Sequence, residues 1–102
     1  MDHVTVTPEV LEGFAATNAT IGTAVAAAGS VNAAANTAVM VPVFGLIGQE
    51  FLAAFIMAQA NHLLAVGNLA AVHAATAATA VGGLAGFEAA DTASAATLRS
   101  AL

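Results

Sequence analysis

Apolar residues recur at alternating intervals of three and four positions along the first third of the chain. This spacing is typical of a helix face that packs against another helix. The members of this helix-pairing seam are Leu11, Phe14, Asn18, Ile21, Val25, Ala28, Asn32, Ala35 and Val39. A helix start precedes the seam. Thr7 supplies an N-cap hydroxyl, Pro8 occupies the first helical position, and Glu9 places a carboxylate near the positive end of the helix dipole. The pattern predicts a helix from about residue 8 to about residue 38.

Two asparagines, Asn18 and Asn32, occupy the same heptad position of this seam. A polar residue there lowers stability and can fix the helix register or the oligomeric state. The alternative is a partly hydrated seam in which the asparagines have no such role. The sequence leaves both interpretations open.

The following stretch, VMVPVFGLIGQEF, interrupts the helical pattern. Pro42 disfavours helix at the residue before it, and Gly45 and Gly48 give the backbone freedom to reverse. This predicts a turn over about residues 39–47, with Phe44 packed on its inner side.

A second helix is predicted over about residues 48–97, longer than the first and therefore extending beyond it. Its large apolar residues fall along two lines, one with Phe51, Phe55, Leu69 and Val72 and the other with Leu52, Ile56, Leu63, Val66 and Leu84. One neighbouring helix covers only one of these lines, so the other indicates a further packing surface. We therefore expect an all-α fold: a single domain over residues 1–102, formed by a two-helix antiparallel hairpin that completes a bundle by oligomerisation or pairing.

The composition supports helix and excludes several classes of partner. Alanine, the residue with the highest helix propensity, is the commonest in the chain, and 60% of the residues are apolar. The net charge is −5, and Arg99 is the only basic side chain. A chain that cannot neutralise phosphates is not expected to bind nucleic acid or an anionic membrane surface. The absence of cysteine excludes disulfides and thiol chemistry.

A membrane-inserted structural hairpin is an alternative, because residues 13–49 and 51–87 contain no Asp, Glu, Lys or Arg. Both stretches are long enough to span a bilayer. Against this interpretation, Asn, Gln and His interrupt both stretches, and no Lys or Arg flanks them to set an orientation.

Residues capable of chemistry are few and far apart. His62 and His73 are eleven positions apart, which is about 16 Å along a helix and too far for a shared metal ion. Glu88 and Asp91 are three apart but have no nucleophile or oxyanion donor beside them. We therefore predict a protein that is not an enzyme, with no catalytic, cofactor or metal site and no small-molecule substrate.

One small pattern remains near the C-terminus. Phe87 and Asp91 are four residues apart, so on a helix an aromatic ring and a carboxylate project from the same face, one turn apart. The alternative is a core Phe beside a solvated acid. The N-terminus, MDHVTVTPEV, has no basic region followed by an apolar one, and so predicts no cleavable signal peptide.

Over its full length the chain resembles the EspC-like family of type VII (ESX) secretion targets in actinobacteria. The resemblance is carried by the stretches VTVTPEVLEGFA, FGLIGQEFLAAF, AQANH and AGFEAAD. It implies a small helical hairpin, secreted or associated with the cell envelope through a pathway without a cleaved leader. The implied partner is a type VII secretion ATPase or a co-secreted helical substrate, in a homo- or hetero-oligomer.

The resemblance also assigns roles to individual residues. The family signal is a Tyr followed, four positions later, by Asp or Glu; Phe87 stands at the Tyr position and Asp91 at the acid, within a signal segment at residues 86–95. Phe44 and Gly45 resemble the aromatic–glycine pair of the WxG motif, with Phe in place of Trp. The opening Val4, Pro8 and Glu9 also resemble PE proteins, so a PE-like protein that pairs with a PPE partner is the alternative within this pathway.

Overall fold

A computed structural model describes residues 4–102 and is helical almost throughout. Its helices are α1 (Pro8–Ala28), α2 (Ala33–Phe44) and α3 (Gln49–Ala101). α1 and α2 follow one another as a first arm that packs along α3 in an elongated hairpin of 85 × 23 × 18 Å. The predicted all-α helical hairpin is confirmed.

The first arm is broken where the sequence predicts a continuous helix. α1 ends at Ala28, and the N–H of Gly29 donates to the carbonyl of Val25 at 2.9 Å. α2 begins after Asn32, whose Oδ1 accepts a hydrogen bond from the N–H of Ala35 at 2.9 Å. Assigning Asn32 to the seam was therefore wrong: it is the N-cap of a new helix, a position that asparagine strongly favours.

The turn is shorter than predicted, because α2 continues through Pro42 to Phe44 and only residues 45–48 reverse the chain. The proline removes one backbone hydrogen bond near the helix end, and the helix stops two residues later. Gly45 has a φ of 46°, a left-handed conformation that favours glycine. Across the turn, the ring centroids of Phe44 and Phe51 are 4.7 Å apart, which joins the two arms at their closed end.

Small side chains set the packing between α1 and α3. Beyond the half-buried Pro8, the buried and half-buried positions of α1 and its C-cap are Leu11, Ala15, Asn18, Gly22, Val25 and Gly29. A Cβ added at Gly22 would lie 3.1 Å from the carbonyl oxygen of Ala70, so the two backbones approach closely there. The sequence expectation placed Phe14 and Ile21 in this seam, but their side chains are 51% and 38% exposed. The smaller residues one position later take their place because only they permit this approach.

The second arm is longer than the first, as its sequence indicates. α3 has 53 residues, equivalent to about 80 Å at 1.5 Å per residue. Residues 49–84, hereafter the covered part of α3, end at Leu84, which is 6% exposed. Residues 85–101, hereafter the free extension, are exposed apart from half-buried Ala95.

Large apolar side chains remain exposed on the hairpin's outer faces. On α3 they include Phe51, Ile56, Leu69 and Val72, and on the first arm Phe14, Val39 and Val43. Patches of this kind on a small protein are typical of surfaces that pair with another chain.

Candidate recognition surface at the open end of the hairpin

Polar contacts between the arms hold α3 in register with α1. His73 Nδ1 lies 3.3 Å from Asn18 Oδ1, and the amide of Asn18 also donates to the carbonyl of Phe14 at 3.0 Å. Eleven residues further along the first arm, His62 Nε2 lies 3.1 Å from the carbonyl oxygen of Gly29, at the C-terminal end of α1. These contacts give both described histidines a structural position. Among residues 4–102, no three His, Cys, Asp or Glu side chains form a group that could hold a metal ion.

A third polar contact lies nearer the turn, between α2 and α3. The Asn36 amide donates to Gln59 Oε1 at 2.9 Å. Gln59 is 8% exposed, and its Nε2 has no hydrogen-bond partner in the described part of the chain. The Asn36–Gln59 hydrogen bond links the two arms near the turn, and the buried Gln59 Nε2 remains an unsatisfied donor.

The turn residues singled out from the sequence build the closed end of the hairpin. Phe44 is half-buried, and a Cβ added at Gly48 would lie 2.6 Å from the Phe44 Cβ, so that glycine makes room for the aromatic ring. The N–H of Gly45 donates to the carbonyl of Val41 at 2.9 Å. These contacts account for Phe44, Gly45 and Gly48 as residues that shape the turn.

The covered face of α3 follows the same alternation of three and four residues. From residue 66 onward, the buried and half-buried positions that follow it are Val66, Ala70, His73, Ala77, Ala80 and Leu84, and Thr76 is half-buried beside them. Continuing the alternation beyond Leu84 gives Phe87, Asp91, Ser94 and Leu98. Phe87 and Asp91 are therefore in the register of the covered face, at the point where the first arm ends.

The ring of Phe87 borders an apolar groove at this open end. The groove has a volume of about 280 Å³ and is lined by Thr5, Val6, Thr7, Val10, Leu11 and Phe87. Phe87 is 51% exposed, so one side of the ring faces the N-terminal segment and the rest is accessible. The structure thus brings the start of the chain next to a residue near its end.

Negative charge is concentrated at the same end. Glu9 and Glu12 lie in the first turns of α1, and Glu88 and Asp91 lie on the free extension, all four with exposed side chains. Glu50, at the closed end, is the fifth described carboxylate. The open end therefore combines an accessible apolar ring with acidic side chains.

Other grooves along the hairpin have a different character. One of about 550 Å³ is lined by alanines with Glu12 and Val81, and another of about 560 Å³ by alanines with Gly22 and Thr23. Their walls offer methyl and hydroxyl groups along a smooth surface. Such grooves suit contact with another helix.

A protein-family model described as "Excreted virulence factor EspC, type VII ESX diderm" matches residues 1–100. The chain belongs to this family. A search of curated proteins and a search of solved structures found no match. The family match confirms the resemblance that the sequence indicates, and it places the chain among excreted proteins of the type VII pathway.

Two structural features of this EspC-family chain were not predicted from its sequence. Ala15, Gly22 and Gly29 form the close contact with α3, and their spacing of seven residues is a signal that could have identified them. Val6 and Val10 line the groove beside Phe87, a contact between distant parts of the chain that no local pattern shows.

Proposed function

We propose that this EspC-family chain is a non-enzymatic substrate of a type VII secretion system, with an export signal on the free extension of α3. Phe87 and Asp91 are the residues that the machinery reads, within the segment 86–95. The reader is a secretion ATPase or a co-secreted helical partner. The observation that supports this most strongly is that both residues continue the packing register of α3 at the point where the first arm ends.

The chemistry of the two side chains suits recognition by contact. The exposed part of the Phe87 ring offers apolar area, and Asp91 offers a carboxylate one turn further along the same face. Neither contact requires the tyrosine hydroxyl that the family motif carries. We therefore expect Phe87 to serve in place of Tyr.

The hairpin itself acts as the scaffold and as a bundle partner. The exposed Phe14, Leu69 and Val72 support pairing with another helical chain, either a second copy or a co-secreted substrate. A PE-like mode, in which the partner is a PPE protein, is the alternative within the pathway. Size-exclusion chromatography with light scattering distinguishes an oligomer formed alone from a chain that requires a different partner.

A membrane-inserted hairpin is a second candidate, because both arms are long and apolar enough to cross a bilayer. Against it, polar side chains interrupt both arms, and Arg99 is the only Lys or Arg that could set an orientation in a bilayer. Extraction separates the two: the export proposal expects the chain to stay in solution without detergent, and the membrane alternative expects it to remain with the lipid fraction.

The export proposal is tested in a host with an active type VII system. The tagged chain is compared with Phe87→Ala, Asp91→Ala and Phe87→Tyr by immunoblot of culture filtrate, envelope and cytosol. We expect both alanine variants to accumulate in the cytosol and Phe87→Tyr to be exported like the wild type. A host with an inactivated secretion ATPase is the control. Unchanged export of both alanine variants would remove the signal from these residues.

A further inference from the structure

The packing face of α3 continues without a covering arm beyond Phe87. The described first arm reaches the level of Phe87 through residues 5–11, which line the groove beside its ring. The 14 residues from Glu88 to Ala101 then extend for about 21 Å. Their packing positions, Asp91, Ser94 and Leu98, are exposed.

The geometry of the uncovered face of α3 indicates what kind of structural element can pack on it. Along the covered part, the same face of α3 is occupied by another α-helix, and the register does not change at Leu84. The backbone of α3 is helical to Ala101, so it offers no strand edge to a partner. A helix in line with α1 is therefore the geometry that continues the existing interface.

The charge at this end indicates the partner's chemistry. Glu9, Glu12, Glu88 and Asp91 lie near the groove or on the extension, and Arg99, the only Lys or Arg in the whole chain, lies in the last turn of the extension. A second copy with this end apposed would bring eight of these carboxylates together with only two arginines, which leaves a large excess of negative charge. A basic partner would instead meet opposite charge, which gives orientation and specificity to the contact.

We propose that the free extension binds a basic amphipathic helix of a partner protein, lying in line with α1. Its apolar residues would pack on Phe87 and Leu98, and a Lys or Arg would face Asp91. Its end would meet the groove formed by Val6, Val10, Leu11 and Phe87. This proposal rests on the proposed export function and names the kind of partner that reads the signal.

The proposal makes the N-terminal segment part of the recognition surface. Val10 is 68% exposed and lines the Phe87 groove, although the two residues are distant in sequence. Replacing Val10 with Ser should leave the hairpin folded, because the side chain is mostly in solvent already. We expect the same replacement to reduce export by removing apolar area from the groove.

Site-specific photocrosslinking tests the occupied face directly. The photoreactive residue benzoylphenylalanine is introduced at Ser94, on the packing face, and at Ala96, about 200° around the helix from it. The full chain is expressed in the exporting host, irradiated, and analysed by mass spectrometry. We expect partner crosslinks from Ser94 and few or none from Ala96, with the crosslinked segment an amphipathic helix containing Lys or Arg within one turn.

Three results would overturn the proposal: equal crosslinking from both positions, crosslinks only between copies of this chain, or a crosslinked segment without basic residues. A charge series gives a second readout, with Asp91→Glu retaining export and Asp91→Lys lowering it about tenfold or more. Circular dichroism of each variant checks that the hairpin remains folded.

Failure of this proposal is distinguishable from failure of the export signal. If Phe87→Ala and Asp91→Ala block export while Val10→Ser does not, and Ser94 gives no directional crosslink, the signal stands and the in-line helix does not. If neither alanine variant affects export, the export signal itself is excluded, and the in-line helix with it.

Discussion

The covered part of α3 and its free extension are segments of one uninterrupted helix with the same spacing of packing positions. In the covered part these positions hold Ala70, His73, Ala77 and Leu84, which are buried or half-buried by the first arm. In the free extension they hold Phe87, Asp91, Ser94 and Leu98, which are exposed. One register therefore serves intramolecular packing up to Leu84 and, on our account, recognition beyond it. Substitutions in the covered part should act on stability, and those in the extension on export.

The largest predicted effect on stability is at Gly22. A leucine there would force side-chain atoms against the Ala70 carbonyl, which is backbone and cannot move aside. We expect Gly22→Leu to cost about 3 kcal/mol and to separate the arms. Gly82→Leu is the control, because a Cβ there meets nothing within 4 Å and glycine replacement favours the helix. Urea unfolding followed by circular dichroism measures both; equal losses of stability would show that the close approach does not hold the hairpin.

A leucine pair on either side of the boundary gives the sharpest stability comparison. Leu84 is 6% exposed and Leu98 is 68% exposed, in the same packing register. We expect Leu84→Ala to lower the free energy of unfolding by about 2–3 kcal/mol, through lost burial and a residual cavity. Leu98→Ala should change it by less than about 0.5 kcal/mol. Similar losses for both in chemical denaturation would mean that the extension is packed in solution.

A smaller effect is expected at the amide pair within the covered part. Asn36→Ala removes the donor to Gln59 Oε1 and leaves a buried amide without partners, at a cost of about 1–2 kcal/mol. Gln59→Met removes the buried polar group at similar volume, and exposed Asn36 regains water. We expect Gln59→Met to be neutral or slightly stabilising in the same unfolding measurement. A loss as large as that of Asn36→Ala would indicate that Gln59 Nε2 has a partner in solution.

The sequence allows the hairpin to be predicted because alanine content and the three-and-four spacing both act locally along the chain. It does not determine which side of the first helix faces α3, since Phe14 and Ile21 are more apolar than Ala15 and Gly22. The choice depends on how closely two backbones approach, and that is a property of the pair of helices. Asn32 shows the same limit, because it matches both a seam position and a helix cap.

The candidate signal was predicted from the spacing of Phe87 and Asp91 and from the family resemblance. Its continuity with the packing face depends on where the first arm ends, which the length of α3 alone does not give. The contact of Phe87 with the segment containing Val6 and Val10 joins residues that are distant in sequence, so no local pattern predicts it. The function of Phe87 and Asp91 as an export signal is our proposal, and export measurements test it.

The central claim is that Asp91 acts in recognition because of its place in the register, and a matched pair of charge removals tests it most directly. Asp91→Asn and Glu88→Gln each remove one exposed carboxylate at nearly constant volume, but only Asp91 continues the seven-residue line of the buried Ala77 and Leu84. Export into culture filtrate and urea unfolding are measured for both variants. We predict that Asp91→Asn accumulates in the cytosol, Glu88→Gln is exported, and both unfold like the wild type. Normal export of Asp91→Asn, or equal loss for both variants, would contradict the account.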